Sequence, residues 1–327
     1  MTSAVQQLAA LRAGVDGTAD APPMDEAAAR DWCRRLATGH YENFSVLSSL
    51  VPVALRDDFA AVYAFCRCAD DLGDEVGDPA ERPALLAQWR AQLQACYAGQ
   101  PRHPVFVALA PVVRRHGLPI DPFDALIRAF EQDQHCNRYQ SWEQLVDYCT
   151  RSADPVGRLV LGLFGLASPE RVAMSDRVCT ALQIANHLQD VRRDLLERDR
   201  IYLPAEATAA IPDFEERLRR SAQLGHACDR EFLEQYRAAV RPLVRRTWEL
   251  FAEGRPLLPT LTPQARPVVR LFVEGGESVL VGIERWNYET CLHRPTVGRA
   301  RKLQLVARAW WGANAPAWVP AALGGPR

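Results

Sequence analysis

Carboxylates crowd a stretch whose apolar neighbours would otherwise be buried. In Asp70-Asp71-Leu72-Gly73-Asp74-Glu75 four acids fall within six positions, shortly after the apolar run that begins at Phe59. On a helix, residues four apart are separated by roughly 40° and about 6 Å, so Asp70 and Asp74 share a face. Two carboxylates that close repel each other, and beside a buried face they need a cation to offset the repulsion. Oxygen donors of this kind suit a hard divalent ion, and Mg²⁺ is the expected one. Well over a hundred residues downstream, Asn186, Asp190 and Asp194 recur at the same four-residue interval, flanked by Leu182, Ile184, Ala185 and Leu188. Mg²⁺ is usually held by few carboxylates together with substrate phosphates. Two acidic helices facing each other across a cavity would therefore make a metal-bridged diphosphate site. A solvated helix end explains either stretch alone; both together, each within an apolar helix, favour the shared site.

The elements that must carry these faces all read as helices. The first runs from Met24 to about Ala37, and a polar turn at His40–Ser45 follows, rich in donors that could hold an anion. Helical patterns continue over 47–53 and 56–75, until Gly77-Asp78-Pro79 breaks the chain. Further segments cover 80–97, 105–116 and 121 to about 137, with Asp121-Pro122 read as N-cap and first helical position. Ser141 with Gln144 has the form of a capping box. It opens one long segment through Tyr148 to Gly165, kinked at Pro155. The small residues Ser152, Ala153, Gly157 and Gly162 imply close helix contact or room for a bulky ligand. Ser168 caps the helix of the second acidic face, which is expected to run until just before Arg200. A long helix over 214–253, kinked or divided at Pro242, and another over 266–290 complete the pattern. No strand pattern, glycine-rich phosphate loop, heptad array or internal repeat interrupts it, so the expected architecture is a single all-α domain around a central cavity. The expected boundaries are a leader at 1–24, the domain at 25–312 and a tail at 313–327.

At 327 residues, 48% hydrophobic, 24% charged and with a net charge of −1, the chain lacks the basic excess of a nucleic-acid binder. Its nine cysteines form no CxxC pair or zinc spacing, which suits a reducing cytoplasm. No signal peptide or run of eighteen uncharged apolar residues is visible, so no membrane span is expected. Arg299, Arg301, Lys302 and Arg308 alternate with Leu305, Trp310 and Trp311. Such an end either covers the core or touches the inner face of an anionic membrane peripherally.

Taken together, these motifs resemble the squalene/phytoene synthase family. The resemblance runs from about His40 to Trp311 and is carried by Tyr63-Ala-Phe-Cys-Arg67 leading into Asp70 to Glu75, then Tyr148-Cys149 with Val156-Gly157, then Asn186 to Asp194 with Arg200-Ile-Tyr202-Leu-Pro204. The runs His40–Phe44 and Arg151–Val160 look like the hopanoid-cluster, hydroxysqualene-forming branch. The resemblance implies an isoprenoid synthase-type helical bundle and a reaction in which presqualene diphosphate loses diphosphate with Mg²⁺ assistance and its cation is captured by water. Pathway enzymes would supply the presqualene diphosphate and reduce the hydroxysqualene; NADPH is not expected here. By resemblance, Asp70, Asp74, Asn186, Asp190 and Asp194 take metal-binding positions, and Arg67 and Arg200 contact diphosphate. Tyr63, Tyr148 and Tyr202 line the cavity near the reacting carbons.

Two departures qualify the likeness. Tyr41 and Asn43 stand where phytoene and dehydrosqualene synthases tend to place serines, and they join the diphosphate-binding candidates. Asp154 replaces the Asn more often found in this branch; a buried acid there could orient the capturing water or cap a kinked helix. The competing readings are a condensing enzyme that joins two prenyl diphosphates to presqualene diphosphate, squalene or phytoene, and a non-enzymatic helical protein that binds isoprenoid diphosphates. A di-iron carboxylate bundle is excluded, because no Glu-x-x-His pair occurs.

Overall fold

The computed structural model describes residues 24–40, 50–75 and 78–298, with 301, 304, 305, 307 and 308 in the last segment. Its helices are α1 (Glu26–His40), α2 (Arg56–Asp74), α3 (Arg82–Tyr97), α4 (Pro104–His116), α5 (Asp121–Gln132), α6 (Trp142–Ser152), α7 (Asp154–Leu163), α8 (Pro169–Gln189) and α9 (Val191–Arg198). These are followed by α10 (Ala205–Thr208), α11 (Phe214–Leu224), α12 (Arg230–Gly254), α13 (Leu257–Thr260) and α14 (Arg266–Arg285). Among the described residues there is no strand; one isolated bridge joins Arg138 to Ile201. The all-α reading holds.

Two apolar clusters organise the helices. The first gathers α1 to α5 around Phe65, whose ring meets Trp89 at 5.7 Å and Phe123 at 4.9 Å. The second is built on α6, α8, α12 and α14. Helix α7 lies between them, since Leu159 and Leu163 belong to the first cluster and Leu161 to the second. Phe164, just beyond its end, packs against both. On α2 the buried positions Phe59, Val62, Phe65, Ala69 and Leu72 follow helical spacing, which fixes how the helix is rotated and where its acids point.

Several boundaries differ from expectation for identifiable reasons. The 141–165 segment is two helices, because Ala153 (φ −125°, ψ −51°) breaks it one residue before Asp154 and two before Pro155. Ser141 does cap α6, accepting from Gln144 N at 3.2 Å, but the Gln144 side chain accepts from Gln140 N rather than from Ser141. Asp121 is already helical and Ile120 is the cap position. The long 214–253 helix is divided at Gly225 (φ 71°) and restarted by Asp229, which accepts from Phe232 N. Pro242 sits inside α12 without ending it. Where described, the last segment lies along α14: Arg301 donates to Ser278 and Leu305 is buried. Arg299, Lys302, Trp310 and Trp311 lie outside the described residues. Among the described residues no helix is long and apolar enough to cross a membrane.

Candidate active site

The second acidic face does not lie on one unbroken helix. Asp190 (φ −99°, ψ 11°) separates α8 from α9. Even so, Asp190 N bonds Asn186 O at 2.9 Å and Asp194 N bonds Asp190 O at 2.8 Å, so the four-residue interval survives the break. Beyond α9, Asp199 takes a left-handed φ of 52° and turns the chain back, with Arg200 N reaching Asp194 O at 3.1 Å. This turn presents Arg198 and Arg200 to the opposite face. Arg200 forks onto Asp74 at 2.8 and 3.2 Å, and Arg198 reaches Asp74 Oδ2 at 3.1 Å. The tertiary fold therefore brings the two acidic faces together with guanidinium groups between them.

Four more acids of these faces are paired with arginines in the same manner. Arg67 bonds Asp70 at 2.8 Å and Glu75 at 3.0 Å, and pairs with the buried Asp71. Asp190 pairs with Arg294 and lies 3.3 Å from Arg193. Burial, opposed by Arg67 and reinforced by Asp74 and Asp71, pushes Asp70 up to about 6. Asp194 rises to about 6 from burial and from the charge of Asp190. Carboxylates held in this state are stabilised by any cation that approaches. Asn186 is exposed at the end of the same face.

Beside the acids lies an aromatic stack. Ile201 N bonds Asn137 O and Ala205 N bonds Tyr139 O, which lays the chain after α9 along the chain after α5. Tyr139 and Tyr202 consequently stack with centroids 5.5 Å apart, and Tyr148 meets them at 5.5 and 6.0 Å. His187 also stacks on Tyr202, with centroids 3.6 Å apart. The buried Tyr148 hydroxyl donates to Asp133 Oδ2 at 2.9 Å, while Asp133 Oδ1 is buried without a hydrogen bond. Burial raises Asp133 to about 7, against the pull of Arg200. The phenols of Tyr148 and Tyr202 are held well above their usual range by burial, so they remain neutral.

An apolar cavity of about 200 Å³ lies along α8, before Asn186. On its α6–α7 side it is lined by Ser152, Val156 and Val160. Its α8 wall is formed by Ser175, Cys179 and Gln183, on the stripe that ends in Asn186 and Asp190. Helix α8 thus runs from the apolar chamber to the second acidic face. Gly157 serves both purposes expected of the small residues: it lines the cavity and lies so close to α8 that a β-carbon would run into Ser175 Oγ and Cys179 Sγ.

Of the residues expected from sequence, Asp70, Asp74, Asp190, Asp194, Arg67, Arg200, Tyr148 and Tyr202 fall in this region, and Tyr63 is half-buried on α2 one turn before Arg67. Tyr41 and Asn43 lie outside the described residues. Asp154 accepts a hydrogen bond from Thr180 at 2.8 Å, tying α7 to α8, and is absent from the residues lining the cavity. Sequence reasoning missed Asp133, Tyr139, His187, Arg198 and Arg294. Asp133 carried one available signal, an acid at the end of an amphipathic helix; the others show their role only through contacts made at long sequence range.

A profile of the squalene/phytoene synthase family matches residues 37–302 of this chain. A hydroxysqualene synthase from Zymomonas mobilis is 39% identical over 178 residues, 53% of this chain and 58% of that protein, so the matched part spans less than two thirds of that relative. A phytoene synthase from Rhodobacter capsulatus is 30% identical over 293 residues, 88% of this chain and 83% of that protein. Among solved structures, a squalene synthase HpnC from Alicyclobacillus acidocaldarius superposes with a TM-score of 0.70 at 42% identity, covering 80% of this chain and 95% of that one.

Proposed function

This chain belongs to the squalene/phytoene synthase family, and from that membership we propose that it converts presqualene diphosphate to hydroxysqualene, with loss of diphosphate and capture of the carbocation by water. One observation carries the reading: two acidic faces meet with Arg198 and Arg200 between them, and helix α8, which ends in the second of these faces, walls an apolar cavity earlier along its length. A prenyl diphosphate has the same polarity along its length.

Asp70, Asp74, Asn186, Asp190 and Asp194 would hold Mg²⁺. Their donors are all oxygen, as Mg²⁺ prefers. Among the described residues no three acidic, histidine or cysteine side chains converge to hold an ion unaided, so diphosphate oxygens complete the coordination in this reading. When bound, the ion neutralises the charge that builds on the departing diphosphate. Arg67 and Arg200 add forked donors to the same oxygens. Tyr148 and Tyr202, neutral and with ring centroids 6.0 Å apart, would place aromatic groups near a cation without a phenolate to trap it. The hydroxyl of Tyr148 is turned toward Asp133 and so away from attack on the cation. Addition of water to the cation involves no change of oxidation state, so the reaction needs no NADPH.

The second reading, condensation of two prenyl diphosphates, is favoured by the extent of the match to phytoene synthases and by the squalene synthase name of the superposed structure. Mass spectrometry of products from the purified protein with Mg²⁺ separates the two. Hydroxysqualene from presqualene diphosphate, with farnesyl diphosphate untouched and NADPH without effect, is the expected result. Consumption of farnesyl diphosphate would replace the first reading by the second.

A further inference from the structure

Helices α6 and α8 meet where the rings of Tyr148 and His187 are 6.1 Å apart. One turn away, at the four-residue interval that keeps side chains on one face, stand Ser152 on α6 and Gln183 on α8, and both line the apolar cavity. Most of the lining is hydrocarbon, as at Val156, Val178 and Leu182. Ser152 Oγ is buried and has no hydrogen-bond partner among the described residues. A hydroxyl within a helix commonly turns back onto the carbonyl four residues earlier, as Thr247 does on α12 at 2.8 Å and Ser278 on α14 at 2.7 Å. The Ser152 hydroxyl makes no such bond and is left to whatever occupies the chamber. Other polar groups nearby are engaged: Ser175 with the Cys179 thiol, the Tyr148 hydroxyl with Asp133, and Asp154 with Thr180.

A buried hydroxyl without a partner is costly, and a water molecule held in a chamber needs two or more polar partners. Ser152 and Gln183 present a hydroxyl, a donor amide and an acceptor carbonyl to one chamber, a single turn from Tyr148 and His187. We propose that Ser152, together with Gln183, holds the water that captures the carbocation, which makes Ser152 a positioning residue that selects the alcohol over an alkene. The inference rests on the hydroxysqualene reading above. The water oxygen forms the new C–O bond with its lone pair. The proton it then carries passes to the diphosphate released in the preceding step, a base that the reaction itself supplies. Without a held water the cation instead loses a proton from a neighbouring carbon, and the product is an alkene; neither route oxidises or reduces the substrate.

The test supplies the full chain with presqualene diphosphate and Mg²⁺ and reads the ratio of alcohol to alkene by mass spectrometry. That ratio does not depend on how much of a variant is folded or on how fast it turns over. In S152A it should fall by about tenfold, a loss in the range of one hydrogen bond. S152T, which keeps the hydroxyl, should return the ratio toward that of the parent. A ratio in S152A within about twofold of the parent, even with slower turnover, or an equal loss of alcohol in S152T, would reduce Ser152 to a packing residue and overturn the proposal. A parent protein that forms no hydroxysqualene from presqualene diphosphate would instead overturn the hydroxysqualene reading.

Discussion

Asp133 shows how much depends on a residue that carries no motif. It stands at the end of α5, accepts from Tyr148, and lies 4.0 Å from the Arg200 guanidinium that also holds Asp74. One carboxylate thus links the aromatic stack to the first acidic face. Asp133→Asn preserves shape and still accepts from Tyr148, but it removes the charge that helps place Arg200. A slight misplacement of reacting groups can cost about a hundredfold in rate, so kcat should fall by roughly tenfold to a hundredfold while the melting temperature changes little. Steady-state kinetics at saturating Mg²⁺ checks this; an unchanged kcat would show that Asp133 only fills space. The acids of the two recurring faces were legible because their types and interval state a chemistry. Asp133 was not, because its meaning comes from Tyr148 and Arg200, which are 15 and 67 residues away.

At the scale of elements, the cavity depends on how closely α7 meets α8. Gly157 is helical, and by intrinsic propensity alone Ala would stabilise α7 by about 1 kcal/mol. The contact with Ser175 and Cys179 works in the opposite direction. Overpacking of this kind typically costs about 1–3 kcal/mol, enough to cancel or outweigh the propensity gain. Gly157→Ala should therefore lower the melting temperature by a few degrees and narrow the cavity; a higher melting temperature would mean that the two helices can separate freely. Helix existence was readable from apolar spacing throughout. Helix ends were less so, because the breaks at Ala153, Asp190 and Gly225 are decided by local backbone geometry that several sequences could adopt or avoid.

For the molecule as a whole, pH stability should bear the mark of Asp154. Its carboxyl is 4% exposed and is raised to about 7 by burial and by Asp176, partly offset by the Thr180 hydrogen bond. The ordinary value is 3.8, so the folded state favours the protonated form. That favourable contribution is complete below the ordinary value and is lost as pH rises toward 7, where the fold must hold a buried charge. At about 1.36 kcal/mol per unit the full effect is at most about 4 kcal/mol. Asp154→Asn keeps an acceptor for Thr180 and never ionises. Its melting temperature relative to the parent should therefore rise by several degrees between pH 5 and pH 8, measured by thermal denaturation; a difference independent of pH would show that Asp154 is not titrating within the fold.

The sequence by itself determined the helical class, the two acidic faces and the polarity of the site. Those properties follow from residue type and from a helical period that any folded form of these segments must keep. It could not determine which cations neutralise the acids. Arg198 and Arg200 reach Asp74 only because Asp199 turns the chain, and Arg294 reaches Asp190 only because the chain after α14 packs back toward the end of α8. The stack of Tyr139, Tyr148, Tyr202 and His187 likewise exists only once the chain after α9 lies along the chain after α5. Local spacing is encoded within one turn of helix; the pairing of distant segments is set by which apolar surfaces can be buried together, and that is settled only when the whole chain packs.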